Sequence, residues 1–97
     1  MIIGKFRLNV TDRQTLMIPA PANIRSVIEQ YGDVMLYAEM NDGAEMLERK
    51  IRIYGTGHKM DEPHTGQFIG TVSTEQGQLI WHIYDVTDYA AERHYPQ

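Results

Sequence analysis

Residues 46–58, MLERKIRIYGTGH, alternate apolar and charged side chains and then stop on two glycines. Leu47, Ile51 and Ile53 fall on one face and Glu48, Lys50 and Arg52 on the other, with Arg49 breaking the inner register near the start. A period of two is what a half-buried β-strand requires, because successive side chains leave a pleated backbone on opposite sides. Gly55 and Gly57 then let the chain leave the strand through conformations closed to residues with a Cβ.

The same period recurs on both sides of this stretch. In KFRLNV (5–10), Phe6, Leu8 and Val10 oppose Lys5, Arg7 and Asn9, and TLMIP (15–19) turns Leu16 and Ile18 inward until Pro19 and Pro21 end the strand. NIRSVIEQY (23–31) reads as a strand only if a bulge near Ser26 reconciles the phases of Ile24, Val27 and Ile28. VMLYAEM (34–40), apolar nearly throughout, suits a central strand covered on both faces. QFIGTVS (67–73) and LIWHIYD (79–85) complete the set, and Gly32-Asp33, NDG (41–43) and TEQGQ (74–78) supply turns.

Seven such segments predict one all-β domain over residues 1–85, an antiparallel sandwich or partly open barrel of six to seven strands. Its expected inner face holds Phe6, Leu8, Val10, Leu16, Ile18, Leu36, Ile51, Ile53, Ile69, Leu79, Trp81 and Ile83. Residues 86–97, VTDYAAERHYPQ, read as a short C-terminal tail, either a helix capped by Thr87 or Asp88 or a disordered end.

Ninety-seven residues with a formal charge of -4 do not offer the basic face that phosphate neutralisation needs, so nucleic acid is an unlikely partner class. Between Ser26 and Leu47 stand five acids and no base. Glu39, Asp42 and Glu45 in that run are candidates for an acidic surface offered to a basic partner, against the plainer reading of solvated strand faces. The chain has no cysteine, which excludes disulfides, thiolate catalysis and cysteine zinc sites. No apolar run matches a signal peptide or a membrane span, so a soluble cytoplasmic protein without a membrane partner is expected.

The glycine-rich stretch does not complete a nucleotide motif. GTGHKM follows a strand but runs into DEPH, which leaves no helix N-terminus to hold a phosphate. His58, Asp61 and His64 are the weak candidates for metal ligation, but HxH and HExxH spacings are absent, and no metal or cofactor is expected. His82 lies on the face opposite Trp81 and is expected to meet the corner of Gly55, Thr56, Gly57 and His58, tying loop to sheet. No nucleophile sits in a strained elbow, and nothing selects a carboxylate pair from thirteen acids, so no catalytic residue is assigned. Six tyrosines and six methionines suit a surface apolar enough to bind and polar enough to stay dissolved. Tyr37, Tyr54 and Tyr84 are the candidate binding residues on strands.

The segments VTDRQTLMIPAPANIRSV, RIYGTGH and FIGTV with GQLIWHIYD resemble a family of small proteins encoded in bacteriophages and prophages. The likeness covers residues 5–85 through Thr11, Asp12, Gln14, Thr15, Gly55, Thr56, Gly57, His58, Gly70, Thr71, Trp81 and His82. These positions look like fold-defining turns and one interior contact. The resemblance implies a non-enzymatic protein that binds a host protein, as anti-CRISPR and other anti-defence inhibitors do, with a homodimer as a further expectation. The alternatives are a minor virion component and a small-ligand or metal module at the Gly55–His64 loop.

Overall fold

The computed structural model describes residues 1–60 and 66–87. Its regular elements are seven strands: β1 (Ile2–Leu8), β2 (Arg13–Pro19), β3 (Ala22–Gln30), β4 (Asp33–Met40), β5 (Met46–Gly55), β6 (Gln67–Thr74) and β7 (Leu79–Asp85). All pairings are antiparallel, in two sheets ordered β1-β4-β3 and β2-β5-β7-β6. The arrangement is a sandwich with no closed barrel. The expected bulge is present between Ile24 and Ser26 of β3. A second one, between Phe68 and Gly70 of β6, has no counterpart in the sequence reading.

One core joins the sheets. Leu8, Val27, Val34, Leu36 and Ala38 come from the three-stranded sheet, and Ile18, Ile51, Ile53, Val72 and Ile83 from the four-stranded one. Each fully buried Leu or Ile contributes about 1.5–3 kcal/mol relative to exposure. Phe6, Leu16, Ile69 and Trp81 pack partly buried against this cluster.

Two expected inner residues are outside it. Val10 is exposed because β1 ends at Leu8 and the chain then turns, with Thr11 N–H donating to the Asn9 carbonyl. Leu79 is exposed because it starts β7 beside the β6–β7 turn. The central strand β4 buries Val34, Leu36, Ala38 and Met40, but its other face is only half-buried at Met35, Tyr37 and Glu39. That face lies opposite Arg7, Lys5 and Ile3 in register and is not covered by another sheet. The hairpin before β4 turns on Tyr31 and Gly32, both at positive φ, one residue earlier than Gly32-Asp33.

The TDRQT segment is a fastening between strands. Gln14 accepts from Asn9 N–H at 3.0 Å and donates to its carbonyl at 2.6 Å, so one side chain closes the β1–β2 turn. The Asp12 carbonyl accepts from Ile53 N–H and from Arg52 Nε, both at 3.1 Å, which fixes that turn to β5. Beyond Asp85, Val86 N–H donates to the Lys50 carbonyl at 2.8 Å, and Thr87 Oγ accepts from Lys50 N–H at 2.8 Å. The tail from Asp88 lies outside the described residues, as does the helix expected there.

Candidate functional site

The GTGH corner is held by its own backbone. β5 ends at Gly55, Gly57 adopts φ +87°, and His58 N–H donates to the Gly55 carbonyl at 3.1 Å. The His58 ring then folds back over Gly55, whose N–H donates to His58 Nδ1 at 3.2 Å. A Cβ on Gly55 would lie 2.7 Å from His58 Cε1. Only glycine leaves room for that ring. Because Nδ1 accepts, the proton of the neutral imidazole sits on Nε2.

His82 meets this corner through Thr56. His82 Nε2 meets Thr56 Oγ1 at 2.9 Å, and Nδ1 meets Thr71 Oγ1 of β6 at 3.0 Å. His58 is engaged with Gly55 instead. Trp81, adjacent to His82 on β7, faces the opposite way and donates from Nε1 to Thr74 Oγ1 at 2.9 Å. Adjacent residues of a strand leave opposite faces, so the WH pair serves core and outer surface at once.

On that outer surface the aromatic residues gather. Arg52 pairs with Tyr84 in register, Tyr54 with His82, and Phe68 with Tyr84. The Tyr54 and Tyr84 rings meet edge to face at 5.7 Å, and Phe68 lies 5.3 Å from Tyr84. The Arg52 guanidinium sits 4.7 Å above the Tyr54 ring, a cation–π contact. Phe68 is 53% exposed, whereas Tyr54 is only 4% exposed and its buried hydroxyl has no hydrogen-bond partner among the described residues. Leaving such a group unsatisfied costs about 1–3 kcal/mol. A cavity of about 280 Å³ opens here, lined by Tyr54, Tyr84, His58, His82, Met60 and the Gly55–Gly57 turn.

The remaining candidates lie elsewhere. Tyr37 is on the outer face of the three-stranded sheet, where its hydroxyl donates to Gln30 Oε1 at 3.4 Å. It does not share a surface with Tyr54 and Tyr84, because β4 and β5 belong to different sheets. Three acids of the run already have partners within the three-stranded sheet. Glu39 pairs with Arg25 at 2.6 Å, Asp33 with Arg7 at 3.5 Å, and Glu29 accepts from Gly32 N–H. Asp42 and Glu45 stand exposed in the β4–β5 connection. Asp61 and His64 lie outside the described residues, among which no group of metal-ligating side chains forms. No described helix is long and apolar enough to cross a membrane.

Sequence reasoning missed Phe68, Thr71 and Arg52 as parts of this surface. With Ile69 inside, strict alternation leaves both Phe68 and Val72 outside. The bulge between Phe68 and Gly70 keeps Phe68 on the outer face and turns Val72 inward, and a glycine within a strand was the one available signal of that.

A family model described as a domain of unknown function, DUF7352, covers residues 1–94. No curated protein and no solved structure matches the chain.

Proposed function

We propose that this chain, which belongs to the DUF7352 family, acts without catalysis, docking a protein partner on the outer face of β5, β7 and β6. The observation that carries this reading is the aromatic cluster itself. Phe68 is 53% exposed on an open sheet face, backed by Tyr84 and Tyr54. Aromatic anchors on a rigid scaffold are the usual centres of binding energy at protein interfaces. The Thr56–His82 contact supports binding over catalysis, because the group behind His82 is a second hydroxyl, Thr71. A catalytic imidazole is held by a carboxylate in that position. The likeness to phage and prophage proteins supports a partner in the host cell, with inhibition of a defence protein by occupying its surface as the mode of action.

The test is affinity capture with the full chain, comparing a Phe68→Ala/Tyr84→Ala variant with Tyr37→Ala on the other sheet. A host protein retained by wild type and Tyr37→Ala, and released by the double variant, supports the reading. Equal retention by all three, or no specific retention by wild type, overturns it. Circular dichroism of each variant separates lost binding from lost folding.

A further inference from the structure

β1 is an outer strand of the three-stranded sheet, and among the described residues no strand pairs with its far edge. It runs seven residues against β4 without a bulge. Ile2, Gly4, Phe6 and Leu8 face the core side, opposite Met40, Ala38, Leu36 and Val34, while Ile3, Lys5 and Arg7 face outward. Ile2 thus points the way the core residues do and is still 44% exposed, so the core is unfinished at this edge. The regular edge of the other sheet differs. There β2 ends on the buried Pro19, which has no N–H to give a neighbouring strand, and its core-facing Ile18 is already 1% exposed.

An open edge takes up another strand through main-chain hydrogen bonds, and the side chains decide which strand and in what register. For a second copy related by a twofold axis, antiparallel pairing keeps the core-facing side chains of both copies on one side of the joined sheet. The cations of β1 then choose the register. Centring the pair on Lys5, Phe6 or Arg7 sets cation directly against cation, which is destabilising. Centring it on Ile3 leaves only three residues of each β1 paired. Centring it on Gly4 pairs five, Ile2 through Phe6, and opposes no two cationic side chains.

From this charge pattern we infer that β1 pairs with β1 of a second copy, antiparallel about Gly4, in one sheet ordered β3-β4-β1-β1-β4-β3. Ile2 then lies opposite Phe6 of the second copy, an aliphatic–aromatic pair that closes the core at this edge. Ile3 lies opposite Lys5 of the second copy and, within its own chain, opposite Glu39. It is therefore flanked by an ammonium from one copy and a carboxylate from the other, charges of opposite sign. Gly4 leaves no side chain to crowd the axis; in its own chain a Cβ would already lie 2.5 Å from Met40 Cε. Five paired residues a side make a small interface, so the dimer is weak and reversible. The docking face on β5, β7 and β6 belongs to the other sheet, so the two readings stand or fall separately.

The chain has no cysteine, so cross-linking reads the register directly. Full-length Ile3→Cys is oxidised alone, in a mixture with Lys5→Cys, and in a mixture with Thr15→Cys of β2 as the control. Intact masses identify which chains are joined. The expected result is fast linking of residue 3 to residue 5 across the mixed pair, with slow linking in the other two samples. Ile3→Cys linking to itself as fast as to Lys5→Cys overturns the Gly4 register, and mixed linking no faster than the Thr15→Cys control overturns the β1 edge. Sedimentation equilibrium over a concentration series gives the second readout. Wild type should dimerise, and Ile3→Lys, which sets a cation against Lys5 twice per dimer, should raise the dissociation constant about tenfold. An unchanged urea midpoint shows that Ile3→Lys keeps its fold. Wild type that stays monomeric into the millimolar range, or that grows beyond a dimer, overturns the closed pair.

Discussion

The two long sides of this sandwich are finished in different ways. On one, β3 and β6 lie against each other although they belong to separate ladders, and each is interrupted by a bulge. Gly70 packs against β3 in this seam: a Cβ there would lie 3.0 Å from Val27 Cγ2. On the other side, β1 and β2 are regular seven-residue outer strands with no ladder between them. The N-terminal end of that side exposes Met1, Ile2 and Ile3, with Lys5 and Arg7 further along the strand. A sheet edge invites pairing with other chains, and bulges or charges are the ordinary ways of discouraging it. Here the bulged edges cover one another, while the regular edge relies on lysine and arginine. The candidate site is built on β5, β7 and β6, the last of which is held by the closed side, so its side chains stand on backbone fixed from both directions.

The largest effect should come from the ion pair between β5 and β7 that holds Arg49 where it reaches the other sheet. Arg49 leaves β5, donates from Nη1 to the Ala22 carbonyl at the start of β3 at 2.9 Å, and pairs through Nη2 with the Asp85 carboxylate. The other Asp85 oxygen accepts the Thr87 hydroxyl and its N–H. Asp85 is 7% exposed, and Arg49 Nε is buried without a partner among the described residues. Asp85→Ala strands a largely buried guanidinium and should lower stability by about 3–5 kcal/mol, a large share of what a domain of this size possesses. Urea unfolding measures it. An Arg49→Met/Asp85→Leu double variant should recover much of the loss, because replacing both charges removes the desolvation cost. A loss no greater than that of a β1 surface variant would mean that Asp85 does not hold Arg49 in its contact with the Ala22 carbonyl.

Most of the framework could be read from the order of residues. Alternation in 46–54 and 79–85, the proline stop at Pro19 and the phase conflict around Ser26 each have a local cause, and each appears where that cause requires. What could not be read depends on distant contacts. Arg49 looked like an error of register; it is an inward cation because Asp85, on a strand paired two residues away, turns inward to meet it. Ile69 was placed inside and packs against the core, but Val72 is buried as well, because a bulge between Phe68 and Gly70 shifts the phase of β6. The acidic run was legible as charge, but its pairing was not, since Arg25 and Arg7 reach Glu39 and Asp33 only once the strands pair. His82 was rightly placed near the corner. Which residue it meets turned on the His58 ring, which Gly55 draws back over itself.

A smaller effect tests the closed side directly. Gly70→Val adds a branched side chain where the first atom alone already presses on Val27, so β3 and β6 must move apart. Overpacking of this kind costs about 1–3 kcal/mol. Amide shifts should concentrate along β3 and β6 and reach Thr71, weakening its contact with His82. Shifts confined to residue 70 and its neighbours, with an unchanged urea midpoint, would show that the seam is loose and that the two sides differ less than their backbones do.

The smallest effect belongs to the open side. Ile3 is 70% exposed on β1 and stands opposite Glu39 in register. Ile3→Lys gives up little buried apolar area, since most of the side chain already meets water. The new ammonium faces a carboxylate, a cross-strand arrangement that contributes about 0.2–1 kcal/mol when the acid is available. Glu39 already holds Arg25 at 2.6 Å, so the gain falls at the low end. Stability should therefore stay within about 0.5 kcal/mol of wild type, as for surface positions generally. Association should respond where stability does not, because a charge on an unguarded edge discourages a second strand from pairing there. Sedimentation over a concentration series should show less self-association for Ile3→Lys than for wild type. A loss above about 1 kcal/mol would mean that β1 is covered by something its exposure does not reveal, and the contrast between the two sides would fail.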